Sequence, residues 1–184
     1  MNHEEATAFG KVFEDKIFPH RWLIMFPNTT LTPSTKYQNM ECHFDFWWTR
    51  MKKGKQVDLK VETKAKTKGW GEYVLWELLN VNGYAGWGLG DADIIVFGAP
   101  DGMYVVNRKK VTNFICKHLN ITPDIVSLRK QPSCLFDGAP LWKLSHRISR
   151  PKELTVKIPF DVFLDFVSKS TLKLYEENKN RFRY

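Results

Sequence analysis

The stretch that decides the fold is Val57-Asp58-Leu59-Lys60-Val61-Glu62-Thr63-Lys64-Ala65-Lys66. Apolar and charged residues alternate along it, the period of a strand with one buried face. Leu59, Val61, Thr63 and Ala65 fall on one face, ready to pack on a helix. Asp58, Lys60, Glu62, Lys64 and Lys66 fall on the other. Just upstream, Cys42-His43-Phe44-Asp45-Phe46-Trp47-Trp48-Thr49-Arg50 reads as a second, aromatic-rich strand. The basic segment Met51-Lys52-Lys53-Gly54-Lys55-Gln56 between the two carries a glycine where a turn is needed. The pair therefore predicts a hairpin. Unlike charges pairing weakly at a solvated surface would account for residues 57–66 taken alone. The partner strand changes that reading.

Outward from the hairpin, residues 3–18 have a helical period, with Ala6, Phe9, Val12, Phe13 and Ile17 on one side. Asn2 can cap this helix and Pro19 ends it. Gly10 inside it marks a close packing contact. Trp22-Leu23-Ile24-Met25-Phe26 reads as a short buried strand, and residues 27–35 as loop. Residues 73–81 are strand or short helix, since their period fits both. A glycine- and aromatic-rich loop follows. Residues 92–119 then read as strand, turn at Pro100-Asp101-Gly102, strand, and helix. Residues 139–147 and 153–160 look like strands. Residues 161–179 look like a closing helix with Asp161 as its N-cap. This order implies an α/β fold in which helices flank a central mixed β-sheet, as a single domain over residues 1–184.

The chain has 184 residues, 43% hydrophobic and 14% aromatic, enough for a real core and unlike a disordered chain. Its formal net charge of +8 favours a polyanionic partner, of which nucleic acid is the commonest. The three cysteines are scattered without Cys-x-x-Cys spacing, which argues against a zinc site or a disulfide framework. The polar, acidic N-terminus is unlike a secretory signal, and no apolar run is long enough to span a membrane. These features fit an intracellular, cytoplasmic protein. No phosphate-binding glycine loop and no Ser/His/Asp arrangement is visible.

Hydrolysis of a phosphodiester needs a hard divalent cation held by carboxylate oxygens, and a polarised water. Glu62 supplies one carboxylate. Asp45, across the hairpin and among bulky apolar residues, supplies another, and burying it is costly unless it is paired or bound to metal. Lys64 follows Glu62 by two and projects beside it, where it can orient water or stabilise charge on phosphate. Asp58 lies about 13 Å along the strand from Glu62, too far to share its ion.

Glu-x-Lys preceded by an Asp on the adjacent strand is the core motif of the PD-(D/E)XK nuclease superfamily, and this sequence resembles it through Asp45, Glu62 and Lys64. The first helix carries Gly10 and Glu14 where that family often places a metal-proximal acid. Residues 75–97 look like the strand with an acid, Gly-Trp loop and Ala-Asp strand of phage-type and resolvase-like members, with Glu77, Gly86-Trp87 and Ala92-Asp93. Phe44 stands where the family has proline. The resemblance spans about residues 4–119 and leaves 120–184 as an extension. It implies a restriction-endonuclease-like core and an endonuclease that cuts DNA, duplex or branched, with Mg²⁺ or Mn²⁺. Asp45, Glu62 and the Thr63 carbonyl would hold the ion, Lys64 would orient the attacking water, and Glu14 would assist. A homodimer would serve paired cuts at a junction. If the chain is phage-encoded, its place is the host cytoplasm.

Lys52, Lys53, Lys55, Lys60, Lys66 and Lys68 read as a phosphate-contacting rim beside that site. Trp70, Tyr84 and Trp87 are candidates for stacking on bases, though core packing is the default for each. Asp91 and Asp93 suit turn and strand-start roles. The rival reading is a non-catalytic nucleic-acid-binding or protein-interaction module on the same scaffold.

Overall fold

A computed structural model describes residues 3–65, 72–99, 102–129, 143–147 and 150–182. In chain order the elements are α1 (His3–Val12), a π-helical turn (Phe13–Ile17), α2 (Phe18–Met25), β1 (Thr29–Pro33), α3 (Lys36–Cys42), β2 (Phe46–Lys52), β3 (Lys55–Ala65) and β4 (Tyr73–Leu79). There follow β5 (Ile94–Ala99), β6 (Gly102–Asn107), α4 (Arg108–His118), α5 (Ile125–Arg129), β7 (Lys143–Arg147), β8 (Arg150–Pro159), α6 (Phe160–Leu164), α7 (Lys169–Asn178) and a 3₁₀ turn (Lys179–Arg181). They form two compact units. The first comprises residues 1–69, 92–106 and 167–184, and the second residues 70–91 and 107–166.

The first unit is built on a mixed five-stranded sheet in the order β1-β2-β3-β5-β6. β2 and β3 form the expected hairpin, antiparallel and in register from Phe46 with Val61 to Lys52 with Lys55. Its two-residue turn is Lys53-Gly54, both at positive φ, the geometry that suits the strands' twist. β3 is parallel to β5, with Glu62 beside Ile95 and Lys64 beside Phe97. Val61, Val96, Phe46 and Trp48 on the sheet meet Phe13, Phe18, Trp22 and Met25 from the helices in one buried cluster, which Tyr175 and Phe182 complete. Trp22 meets Trp48 edge-on at 5.0 Å between ring centroids.

Several expectations are corrected. Pro19 does not end the first helix. The Phe18 N–H reaches back to the Phe13 carbonyl in the π turn, and Pro19 falls in the first turn of α2, where a missing N–H is tolerated. Helix therefore runs on to Met25, so residues 22–26 are not a strand. Their burial follows helical spacing, with Phe18, Trp22 and Met25 inside. Gly10 makes no close contact: a Cβ there would meet nothing within 4 Å.

Residues 27–35 are not all loop. β1 lies among them, paired antiparallel with β2. α3 follows, opened by a capping box in which the Thr35 side chain accepts from the Gln38 N–H. Cys42 ends α3, so β2 begins only at Phe46. The closing helix is two helices. α6 has Pro159 at its N-cap and Asp161 in its first turn, and α7 is capped by Ser168.

The second unit carries a three-stranded sheet in the order β4-β8-β7. β4 is thus a strand, paired with β8 rather than placed in the central sheet. Trp76 packs edge-on against Trp87 at 4.9 Å and donates to the Thr112 hydroxyl at 3.1 Å. Among the described residues, no helix is long and apolar enough to cross a membrane.

Candidate active site

The candidate residues meet where β2 gives out and β3 continues. Phe46 with Val61 is the last β2–β3 pair, while β3 goes on pairing with β5 through Ala65. Past that pair, the N–H of Thr63 would lack a strand partner on the β2 side. Asp45 supplies it: its Oδ2 accepts from the Thr63 N–H and from the Thr63 hydroxyl, each at 2.7 Å. The Asp45 backbone is fixed as well. Its N–H donates to Val61 O at 2.8 Å, and its carbonyl accepts from Ser34 N at 2.7 Å. Asn39, on α3, donates to Oδ1 of the same carboxylate. Asp45 is held in one orientation by the backbone of β3, by Ser34 just past β1, and by Asn39 on α3.

Glu62 is only 4% exposed, and Thr63 is fully buried beside it. The Lys64 ammonium forms an ion pair with Glu62. Burial pushes the Glu62 carboxyl up to about 7; Lys64 pulls it down, and Asp45 and Glu14 push it further up. Burial opposes the charge on Lys64, but Glu62, Asp45 and Glu14 outweigh it and raise its pKa above the usual lysine value. Glu14 is likewise raised to about 7, first by burial and then by Asp45, with Lys64 acting the other way. The four groups therefore sense one another's charge. Three carboxyls share one ammonium.

Glu14 is carried by the π turn, a helical irregularity frequent at functional sites. Gly98 on β5 fixes that turn: a Cβ there would lie 1.9 Å from the Phe13 ring. Only glycine lets Phe13 sit so close to the sheet. A cleft of about 440 Å³ runs past Glu14 and Asp45, with Thr35, Lys36 and Asn39 on another of its walls.

Among the described residues, no group of three or more His, Cys, Asp or Glu side chains is arranged to hold a metal ion. The donor chemistry nonetheless suits a hard cation. Two carboxyls raised to about 7, Glu62 buried and Glu14 half-buried, are short of positive charge, and carboxylate oxygens are the ligands Mg²⁺ takes.

The proposed basic rim divides. Lys52, Lys53 and Lys55 are exposed at the hairpin tip. Lys55 lies about 23 Å along β3 from Glu62, so these three are not beside the site. Lys60 lies over the Phe44 and Trp47 rings, 5.3 and 5.6 Å from their centroids. Lys66, Lys68 and Trp70 lie outside the described residues. Asp58 is exposed and bonded by Thr49 and Gln56, apart from the acidic group. Asp93 extends the β3–β5 ladder, accepting from Lys60 N at 2.9 Å, as a strand-start residue should. Glu77 stands on β4 in the second unit. Trp87 packs on Trp76, whereas Tyr84 is 62% exposed.

Two residues and one hydroxyl that shape the candidate site are not marked as site residues by the sequence. Asn39 carries no signal of its own, although Thr35-x-x-Gln38 announces its helix. The Thr63 hydroxyl was passed over for its carbonyl. Gly98, in Val96-Phe97-Gly98, carried the usual mark of a close approach to a strand. No family model, curated protein or solved structure matches this chain.

Proposed function

We propose that the chain is a metal-dependent endonuclease of PD-(D/E)XK type that hydrolyses DNA phosphodiester bonds on a restriction-endonuclease-like core. The observation that carries this reading is the meeting of Asp45, Glu62 and Lys64 at the open end of β3, with Glu14 in electrostatic contact. Asp45, Glu62 and the Thr63 carbonyl are the groups to hold Mg²⁺ or Mn²⁺, which when bound polarises the phosphate and its attacking water. Thr63 and Asn39 keep Asp45 aimed. Lys64 donates to the incoming water or to a phosphoryl oxygen and offsets the charge that builds there. Glu14, raised to about 7, is suited to accept the water's proton near neutral pH. The new P–O bond forms as the P–O3′ bond breaks. O3′ leaves, taking a proton from solvent, and the cut strand keeps a 5′-phosphate.

The test is cleavage of labelled branched, duplex and single-stranded DNA, and of RNA, with Mg²⁺ or Mn²⁺. Glu62→Ala and Lys64→Ala each lower the rate by roughly 100-fold or more, and Asp58→Ala leaves it within about two-fold. Metal-dependent cutting that survives both of the first two substitutions ends the proposal.

One observation favours a second reading, a non-catalytic nucleic-acid-binding or protein-interaction module. The Asp45 carboxylate already accepts three hydrogen bonds, and Glu62 is already paired with Lys64, so the network holds together without a ligand. It predicts salt-sensitive binding with no cleavage in any metal.

A further inference from the structure

The second unit presents one aromatic side chain to solvent on a loop that is held tightly. Asn80 ties residues 80–85 from within: its N–H donates to Tyr84 O at 2.9 Å, and its carbonyl accepts from Gly83 N at 2.9 Å. Its side-chain oxygen accepts from Asn82 N at 2.9 Å and Tyr84 N at 3.1 Å. Gly83 sits at φ +76°, and a Cβ on it would lie 3.4 Å from Lys152 Cβ and 3.7 Å from Arg129 Nε. Arg129 Nε donates to the Gly83 carbonyl at 2.6 Å, and its guanidinium lies 5.7 Å from the centre of the Tyr84 ring. Tyr84 itself is 62% exposed. The Arg129 guanidinium, the stem of Lys152 and an exposed ring are thus gathered around one glycine, on a turn whose backbone is already ordered.

The chemistry this cluster would recognise is a flat π-surface joined to phosphates. A fixed aromatic face offers stacking with little ordering cost, because the loop is ordered before the ligand arrives. Arginine and lysine on either side match the charge of a strand's backbone. A duplex keeps its base faces stacked on each other, so only an unpaired base can offer one. We propose that Tyr84, Arg129 and Lys152 form a docking point for an unpaired nucleotide of single-stranded DNA, with the base on Tyr84 and neighbouring phosphates on Arg129 and Lys152. The choice of ligand rests on the nucleic-acid reading above, but the proposal does not need the hydrolytic chemistry.

The test is equilibrium binding of the full chain to fluorescent 12-mers in EDTA, where no metal-dependent cutting occurs. The probes are oligo-dT, the same backbone lacking bases, and a blunt duplex. Tyr84→Ala weakens oligo-dT binding about ten-fold or more and Tyr84→Trp restores it, while binding to the baseless strand changes little. Arg129→Gln and Lys152→Gln weaken binding to both single strands and each reduce the salt slope by about one. An unchanged thermal midpoint for Tyr84→Ala shows that the loss is not one of folding. Tyr84→Ala binding oligo-dT as tightly as the parent, or an equal loss on the baseless strand, overturns the proposal. So does failure of the parent protein to prefer oligo-dT over the duplex. Because binding is read without metal, a failed cleavage test leaves this result standing, and the reverse also holds.

Discussion

Asp58 and Glu62 carry the same functional group on one face of β3, four residues apart. Asp58 sits where β2 still pairs with β3, opposite Thr49, in the open, with neutral partners in Thr49 and Gln56. Glu62 sits one residue past the last β2–β3 pair, 4% exposed, with Lys64 against it and two other acids nearby. The alternation of the strand treats the two alike. What separates them is where the neighbouring strand stops. Beyond Phe46 the backbone of β3 needs another partner, and a carboxylate fills that place. The different surroundings of the two acids follow from an incomplete ladder.

The sharpest way to break the comparison is to remove each end's acid. Asp45→Ala strips the buried Thr63 N–H and hydroxyl of their acceptor at once, and both are charge-assisted bonds. An expected loss of about 3–4 kcal/mol in urea unfolding follows from two such donors left unmet. Asp58→Ala removes only exposed bonds and is expected to cost under about 1 kcal/mol. Equal losses would mean that Asp45 does not complete the ladder.

A second prediction turns on protons. The Glu62 carboxyl is raised from its ordinary 4.5 to about 7, chiefly by burial. Between those values the unfolded chain releases its proton before the folded chain does. Stability is therefore fully present below pH 4.5 and falls as pH rises through 7. For Glu62 the expected drop is on the order of 2–3 kcal/mol. Glu14 adds to it in the same direction. Urea unfolding in EDTA from pH 4.5 to 8 reads this slope. Glu62→Gln removes the Glu62 share of the slope and leaves that of Glu14. At pH 8, Mg²⁺ or Mn²⁺ raises the parent's thermal midpoint, and Glu62→Gln loses most of that rise.

The hairpin and its bearing residues were legible because the local signals agreed. Alternation, a Lys53-Gly54 turn and β-forming residues all point one way, and Asp45, Glu62 and Lys64 follow from residue type and spacing. The long first helix was not, because Pro19 is normally a stop. The π turn that absorbs it depends on Phe13 finding room over Gly98, a contact between residues far apart in sequence. The helical burial of Phe18, Trp22 and Met25 was there to be read, but five consecutive apolar residues also fit a strand. β4 could be recognised as an element, though nothing local to it says that its partner is β8. Nor does any local pattern reveal that Asn39 reaches Asp45, since that contact exists only once α3 folds back on the end of β2.

The finest test compares two threonine hydroxyls that serve the two acids. Thr63 donates to Asp45 at 2.7 Å from a fully buried position, and Thr49 donates to Asp58 at 2.6 Å at the surface. The distances are nearly the same, so geometry alone predicts equal worth. Burial decides otherwise. Thr63→Val keeps the shape and the backbone N–H but takes one bond from a half-buried carboxylate, at a cost of about 1–2 kcal/mol. Thr49→Val exposes Asp58 to solvent that takes over the lost bond, and a change within about 0.5 kcal/mol is expected. If the nuclease reading holds, Thr63→Val also slows cleavage several-fold, because the Asp45 carboxylate is then aimed by one bond fewer, while Thr49→Val leaves the rate alone. A double substitution should simply add the two stability changes, since the sites share no partner. Coupling between them would show that the strand, and not the break in its ladder, sets the environment of both acids.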